Sequence, residues 1–155
     1  MSADNIPPYK KQLLQKCIDI INELMTATTM AMENAQSAAN SEEKSSAGDK
    51  YETSRAMSHI EKDMYAVQLA ASQKELFNLM SIDYASASNI IIVGSLVACG
   101  EISFFIAAGI GLLTIAGKKT YVLSPAAPLA KSLLGKKPGD KITFNKTELE
   151  VSFIS

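Results

Sequence analysis

The sequence contains no tryptophan, a single histidine and two cysteines among its 155 residues. Cys17 and Cys99 lie far apart and neither has a CxxC partner, so we expect neither a disulfide framework nor a zinc site. The sequence gives His59 no recognisable partners for a Ser/His/Asp or Cys/His catalytic arrangement, so we expect His59 to lie on the surface of a helix. The sequence therefore offers no set of residues for nucleophilic catalysis, and its cysteine usage fits a reducing cytoplasm.

A concentrated basic segment is also lacking, although the overall charge of −1 hides an asymmetry. Residues 1–83 carry eight basic and twelve acidic side chains, a net charge of −4, whereas residues 84–155 carry seven and four, a net charge of +3. This distribution argues against stable DNA binding, which needs a basic face. The N-terminus has no apolar signal-peptide core, and Glu101 and four glycines interrupt the apolar stretch 90–116. We therefore expect a cytoplasmic protein without a membrane span.

Glycine and proline are absent from two long segments, between Pro8 and Gly48 and between Gly48 and Gly94. Glycine then becomes frequent, and the three remaining prolines all follow residue 120. Because these residue types interrupt helices, the pattern predicts two long helices followed by a strand-rich domain.

Both long segments carry apolar residues at alternating spacings of three and four, which is typical of a coiled-coil seam. In the first segment the seam is Leu14, Cys17, Ile21, Leu24, Thr28, Ala31, Ala35 and Ala38. In the second it is Met57, Ile60, Met64, Val67 and Ala71. The Ser-rich, charged stretch between them cannot continue a buried seam. We therefore predict an antiparallel helical arm over residues 1–83, with its turn at about residues 40–50.

The remainder, residues 84–155, reads as a domain of short strands with one helix. Apolar and β-branched runs predict strands at 90–97, 102–108, 112–116 and 120–124, and a closing hairpin at 141–144 and 148–154. Residues 126–134 predict one short helix that Gly135 ends. Strands with a single packed helix make an α+β fold.

Two acids near the predicted turn are the candidate functional residues. Asp49 and Glu52 are spaced i, i+3, which places both on one face if the second helix begins near Asp49. Acids at a helix start also offset the macrodipole, so simple capping is the alternative. Two carboxylates bind Mg²⁺ weakly by themselves, because the ion prefers octahedral oxygen ligands and keeps several waters. A metal role would therefore need ligands from a second molecule.

Two motifs resemble the Gre transcript-cleavage factors. Residues 48–52, Gly-Asp-Lys-Tyr-Glu, resemble the G-D-x-x-E tip of that family. Residues 122–142, VLSPAAPLAKSLLGKKPGDKI, are similar to its C-terminal stretch, in which a Ser-Pro step enters a short helix ending in L-L-G-K-x-x-G-D. The order of hairpin, sheet, Ser-Pro helix and final strands also matches, so the resemblance covers nearly the whole chain.

The resemblance implies an FKBP-like C-terminal domain at the mouth of the RNA polymerase secondary channel, with the coiled coil inside the channel. Asp49 and Glu52 would share a Mg²⁺ ion with the polymerase and promote hydrolysis of backtracked RNA by two-metal chemistry. The chain would then be a cofactor of the polymerase's own cleavage activity rather than an enzyme, touching nascent RNA only indirectly. Ser124, Pro125 and Leu129 would belong to the polymerase contact.

The tip departs from the family pattern in four ways. Arg55 stands where the family usually has an acid, and Ala56 stands where it has an aromatic. Tyr51 stands where the residue is often basic or small, and a Ser-rich, acidic insert occupies Ser41–Ser46. These departures bear on cleavage more than on polymerase binding. They leave open a non-catalytic member of the same fold that occupies the channel and modulates the polymerase.

Two further alternatives come from other functional classes. A prolyl isomerase or chaperone would need an apolar pocket lined by aromatic side chains, and residues 84–155 contain few of them, several of which must fill the core. A coiled-coil adaptor without a polymerase partner fits the arm but not the tail motif.

Overall fold

A computed structural model describes residues 6–42, 48–86 and 88–155, with side chains for 6–38, 40, 52–86 and 88–155. Helix α1 spans Pro8–Glu42 and helix α2 spans Gly48–Met80. They are followed by β1 (Leu96–Cys99), β2 (Ile102–Ile106), β3 (Gly111–Ile115), β4 (Lys118–Leu123), α3 (Pro128–Leu133), β5 (Lys141–Phe144), β6 (Thr147–Glu150) and β7 (Phe153–Ile154). The predicted fold class is confirmed: a helical hairpin precedes a mostly antiparallel sheet domain with one short helix.

The chain divides into two compact units. The arm unit is Ile18–Asn78, and the sheet unit combines Met1–Cys17 with Leu79–Ser155. The first turns of α1 therefore pack with the strands rather than with the arm. The domain boundary after residue 83 stays a prediction about isolated fragments. No helix in the described part of the chain is long and apolar enough to cross a membrane.

The arm unit packs α2 through a different face from the predicted one. On α1, part of the predicted seam is buried, including Ile21, Thr28 and Ala35, but Leu24 is exposed. On α2 the seam prediction is wrong, because Met57, Ile60, Met64 and Val67 are 54% to 70% exposed. Over residues 54–72 the inward residues of α2 are instead buried or half-buried and mostly polar: Ser54, Ser58, Lys62, Tyr65, Leu69 and Ser72. Towards the end of the helix the covered residues become apolar, with Leu76 half-buried and Leu79 fully buried.

Five strands form one sheet in the order β3-β4-β2-β1-β7. β2 pairs with β4 in parallel, and the other neighbours are antiparallel. β5 and β6 form a separate antiparallel hairpin. The β3–β4 turn holds Ala116 at φ 52° and Gly117 at φ 78°, and the β5–β6 turn holds Asn145 at 50° and Lys146 at 65°. Positive φ at both central residues is the turn geometry that matches the twist of paired strands.

The predicted strand at 90–97 is wrong for residues 90–95, since β1 begins only at Leu96. The Ile91 N–H donates to the Lys136 carbonyl at 2.8 Å, and the Ile91 carbonyl accepts from the Gly135 N–H at 2.8 Å. Ile91 thus pairs with the chain that follows α3 rather than with a sheet neighbour. Gly94, at φ 95°, then turns the chain into β1.

Packing on the sheet follows the alternation of side chains along a strand. One side holds the main core, which joins the strands to α3 and the β5–β6 hairpin through Ile91, Val97, Cys99, Phe104, Ile106, Ala130, Leu133, Ile142 and Val151. The adjacent Phe105 instead packs its ring 5.7 Å from that of Tyr84, just beyond α2. Both Phe104 and Phe105 are fully buried, so the sheet is covered on both sides.

Candidate functional site

The two tip acids lie in the first turns of α2, which begins at Gly48. Glu52 is exposed to solvent. The side chain of Asp49 lies outside the described residues, as does the turn at 43–47 and hence most of the Ser41–Ser46 insert. The predicted placement of positions 49 and 52 within one helix is confirmed. Glu52 is therefore available to a ligand or a second molecule.

The described part of the chain does not assemble a metal site of its own. Among its residues, no group of three or more His, Cys, Asp or Glu side chains is close enough to hold an ion. Mg²⁺ prefers several oxygen ligands in octahedral geometry. The exposed carboxylate of Glu52 supplies one such oxygen ligand.

Arg55 lies one helical turn after Glu52 and is also exposed. Residues three apart on a helix are neighbours on its surface. Positions 52 and 55 are therefore neighbours on the surface of α2. Position 55 is one of those at which the sequence departs from the Gre pattern.

The predicted polymerase contact at Ser124, Pro125 and Leu129 is a tightly ordered turn into α3. The Ser124 Oγ accepts a hydrogen bond from the Ala126 N–H at 3.2 Å, and the Ser124 carbonyl accepts from the Ala127 N–H at 3.0 Å. Leu129 packs against the main core. All three residues are half-buried, so a partner would meet mainly the surface of the turn. Their role in binding stays a prediction.

Lys10 is a residue that the sequence reasoning missed. It lies in the first turns of α1 and is only 1% exposed. Its Nζ donates to the Ser155 carbonyl at 3.0 Å and lies 5.9 Å from the centre of the Tyr84 ring. Burial lowers the pKa of Lys10 to about 8, and the nearby Asp83 carboxylate partly opposes this shift. A lysine in a polar N-terminal segment gives no sequence signal of such burial.

Tyr84 connects the end of α2 to the sheet. Its hydroxyl donates a hydrogen bond to the Leu79 carbonyl. Burial raises the pKa of the Tyr84 phenol, so the group stays neutral over the physiological range. Tyr84, Lys10 and Phe105 thus form a buried cluster within the sheet unit.

With this geometry in view, comparison with known proteins adds little. The chain matches no known protein family and no curated protein in sequence. A solved structure described as the transcription factor Gfh1 is similar to it at 18% sequence identity, over 87% of this chain and 89% of that one, with a TM-score of 0.31.

Proposed function

We propose that this chain is a Gre-type transcription elongation factor that binds RNA polymerase and stimulates cleavage of backtracked RNA through Asp49 and Glu52. The observation that supports this most directly is the joint placement of two motifs. The Gly-Asp-Lys-Tyr-Glu pentad begins α2 at the tip of the hairpin, and the Ser-Pro turn enters the short helix α3 of the sheet unit. The pentad is therefore presented at the end of the arm, while the second motif belongs to the sheet unit.

In this proposal the arm delivers carboxylates and the polymerase performs the chemistry. A hydrated Mg²⁺ shared with the polymerase would supply a polarised water for phosphodiester hydrolysis. This chain's contribution is to hold two negative oxygens at a fixed position. The helical frame of α2 sets the three-residue spacing between them, and the exposure of Glu52 allows it to meet a partner site.

A backtracked elongation complex with Mg²⁺ tests the proposal directly. We expect the wild-type chain to shorten the RNA, and Asp49→Asn or Glu52→Gln to abolish most of that activity while still competing with wild type for the polymerase. Glu33→Gln, which removes an exposed carboxylate from the middle of α1, is the matched control and should cleave normally. Cleavage that survives both tip substitutions would contradict the proposal.

A non-catalytic modulator of the polymerase is the second candidate, and Arg55 is the observation that favours it. A guanidinium one turn from Glu52 would compete with a metal ion for that carboxylate. Tight binding of wild type to the polymerase without RNA shortening at any Mg²⁺ concentration would support this candidate. Recovery of cleavage in Arg55→Glu would then identify the residue responsible.

The aromatic side chains give no support to a prolyl isomerase. Phe104, Tyr121 and Phe144 contact one another, with ring centres 5.1 to 5.9 Å apart. Phe104 is fully buried and the other two are half-buried against the same core. These rings therefore pack mainly on one another and on the main core, and only the edge of the cluster, at Tyr121, borders a surface cavity, which it shares with Glu101 and Lys119.

A further inference from the structure

Helix α2 directs its more polar face into the arm and leaves its more apolar face in water. Inside the arm, Lys62 Nζ donates to Gln36 Oε1 on α1 at 2.6 Å, and Ser72 is buried. Amphipathic helices normally do the reverse and bury their apolar stripe. The inverted arrangement indicates that a second contact surface exists on α2.

The exposed face is a continuous stripe, which we call the outer stripe: Met57, Ile60, Met64, Val67 and Ala71. The first four side chains are between 54% and 70% exposed. Their alternating spacing of three and four is the repeat that packs against another helix. Apolar patches of this continuity on a soluble surface mark interaction sites. Methionine side chains, with their flexible thioethers, adapt readily to a partner surface.

Between Ile60 and Val67 the exposed charges on both sides of the outer stripe have the same sign, and exposed Lys74 lies on the Asp63 side only beyond Ala71, the last residue of the stripe. At 100° per residue, Glu61 lies on one flank of the stripe and Asp63 on the other. Both are exposed, whereas the lysine between them points into the arm and binds Gln36. The outer stripe is therefore an apolar seam with acidic borders, and its natural complement is an apolar seam with basic borders.

We propose that the outer stripe of α2 binds an amphipathic helix of a partner protein, with apolar residues at heptad spacing flanked by lysine or arginine. Apolar burial would supply the affinity, and the basic flanks opposite Glu61 and Asp63 would set the choice of partner. This inference does not depend on the proposed function, because it concerns the side of the arm and not its tip.

Two other occupants fit the charges less well. A second copy of the chain would bring acidic flanks against acidic flanks, which repel each other. Membrane surfaces are anionic and attract helices with lysine and arginine on the polar face. The acidic borders of the outer stripe therefore favour a basic helix over both.

Two designed helical peptides provide the probe. They share one apolar leucine and isoleucine seam, and one carries lysine at every flanking position where the other carries glutamate. We expect the full chain to bind the lysine peptide at least about tenfold more tightly than the glutamate peptide, measured by fluorescence anisotropy at low salt. Adding salt should reduce this difference, because exposed charges are screened.

Variants of the chain assign the binding to the outer stripe. The double variant Ile60→Gln with Val67→Gln should bind the lysine peptide at least about tenfold more weakly than wild type, because both apolar side chains are buried against the peptide in the proposed complex. Ala66→Gln is the matched control, because Ala66 is exposed on another face of α2, and it should bind as wild type does. Glu61→Gln with Asp63→Asn should reduce the preference for the lysine peptide.

Four results would overturn the proposal. The first is equal or undetectable binding of the two peptides, and the second is a loss in Ala66→Gln as large as that in the double variant. In the third, the wild-type chain sediments as a dimer and the double variant as a monomer, which would show that a second copy of the chain covers the outer stripe. In the fourth, the wild type binds vesicles of anionic lipid and the double variant does not, which would assign the stripe to a membrane surface.

Discussion

The hydroxyl groups of Tyr9 and Thr120 lie 2.8 Å apart and join the first turn of α1 to β4. Thr120 is fully buried, and the Lys118 ammonium lies 5.0 Å from the centre of the Tyr9 ring. This contact links positions 111 residues apart. The beginning of the first helix is consequently part of the sheet unit and contributes to its stability.

A double-mutant cycle measures that link. Tyr9→Phe and Thr120→Val each remove one hydroxyl, and each should lower the free energy of unfolding by about 1 kcal/mol, the net value of a buried hydrogen bond. Because the two groups bond to each other, the double variant should cost less than the sum of the singles. Urea unfolding gives the three values. Strictly additive effects would show that the hydroxyl pair does not couple α1 to β4.

Gly94 is a glycine at which a side chain has no room. An added Cβ would lie 2.6 Å from Ile82 Cγ2 and 3.0 Å from the Asp83 carbonyl, and φ is 95°. Gly94→Ala should therefore destabilise the protein by about 2–4 kcal/mol, from backbone strain and overpacking together. Gly111→Ala is the control, because φ there is 97° and no atom lies within 4 Å of the added Cβ. In Gly111→Ala the free energy of unfolding should fall only by the backbone-strain contribution, about 1–2 kcal/mol. Equal losses of stability in Gly94→Ala and Gly111→Ala would contradict the steric argument.

Lys10 should make stability depend on pH above neutrality. Its pKa is about 8 in the folded chain, against an ordinary value of 10.5, so between these values the unfolded chain binds more protons. The contribution of Lys10 to the free energy of unfolding should therefore be constant below about pH 8 and should rise as the pH increases above that value. Urea unfolding of wild type and Lys10→Met at pH 7 and pH 9.5 tests this. The raised pKa values of Cys99 and Tyr84 act in the opposite direction, and both groups are present in wild type and in Lys10→Met, so the comparison between the two proteins isolates the change at position 10.

Wild type should gain stability relative to Lys10→Met as the pH rises. A difference between the two proteins that stays constant over this range would show that the Lys10 ammonium is solvated. The conservative variant Lys10→Arg retains its charge throughout the range, so it should stay destabilised at both pH values.

The orientation of α2 can be tested by two alanine substitutions two residues apart. Val67 is 70% exposed, so Val67→Ala should change the free energy of unfolding by less than about 0.5 kcal/mol. Leu69 is half-buried on the inward face, and Leu69→Ala should cost about 1–2 kcal/mol, below the range for a fully buried leucine. A larger loss of stability in Val67→Ala than in Leu69→Ala would mean that the seam predicted from the sequence is the face of α2 that packs against α1.

The positions of glycine and proline were enough to predict the long helices. α1 begins at Pro8 and α2 at Gly48, where the uninterrupted segments begin. The inward face of α2 could not be chosen in the same way, because two stripes with three-and-four spacing share the helix. Hydrophobicity favoured the stripe through Met64, whereas packing in the arm selected the one through Tyr65. Periodicity sets the repeat of a seam but does not decide between two faces.

The sheet shows a similar division between local and long-range information. The strands at β2, β4 and β5 were predicted because their β-branched and aromatic runs are bounded by turn residues. The apolar run before Gly94 was misassigned as strand, since nothing local reveals that Ile91 pairs with the chain after α3. At the candidate site, the acids of the tip were visible as a motif, but the burial of Lys10 depends on contacts with the far end of the chain.

The bond between Lys10 and the Ser155 carbonyl spans 145 positions of the chain. During synthesis the N-terminal helix leaves the ribosome early, and its partner strands emerge only after the whole arm has been made. The arm unit can form its local helical contacts in the meantime, on a much faster timescale than long-range pairing allows. The sheet unit must instead wait for β7, which pairs with β1. Until that moment the Lys10 ammonium lacks its Ser155 partner and stays in water on the nascent chain.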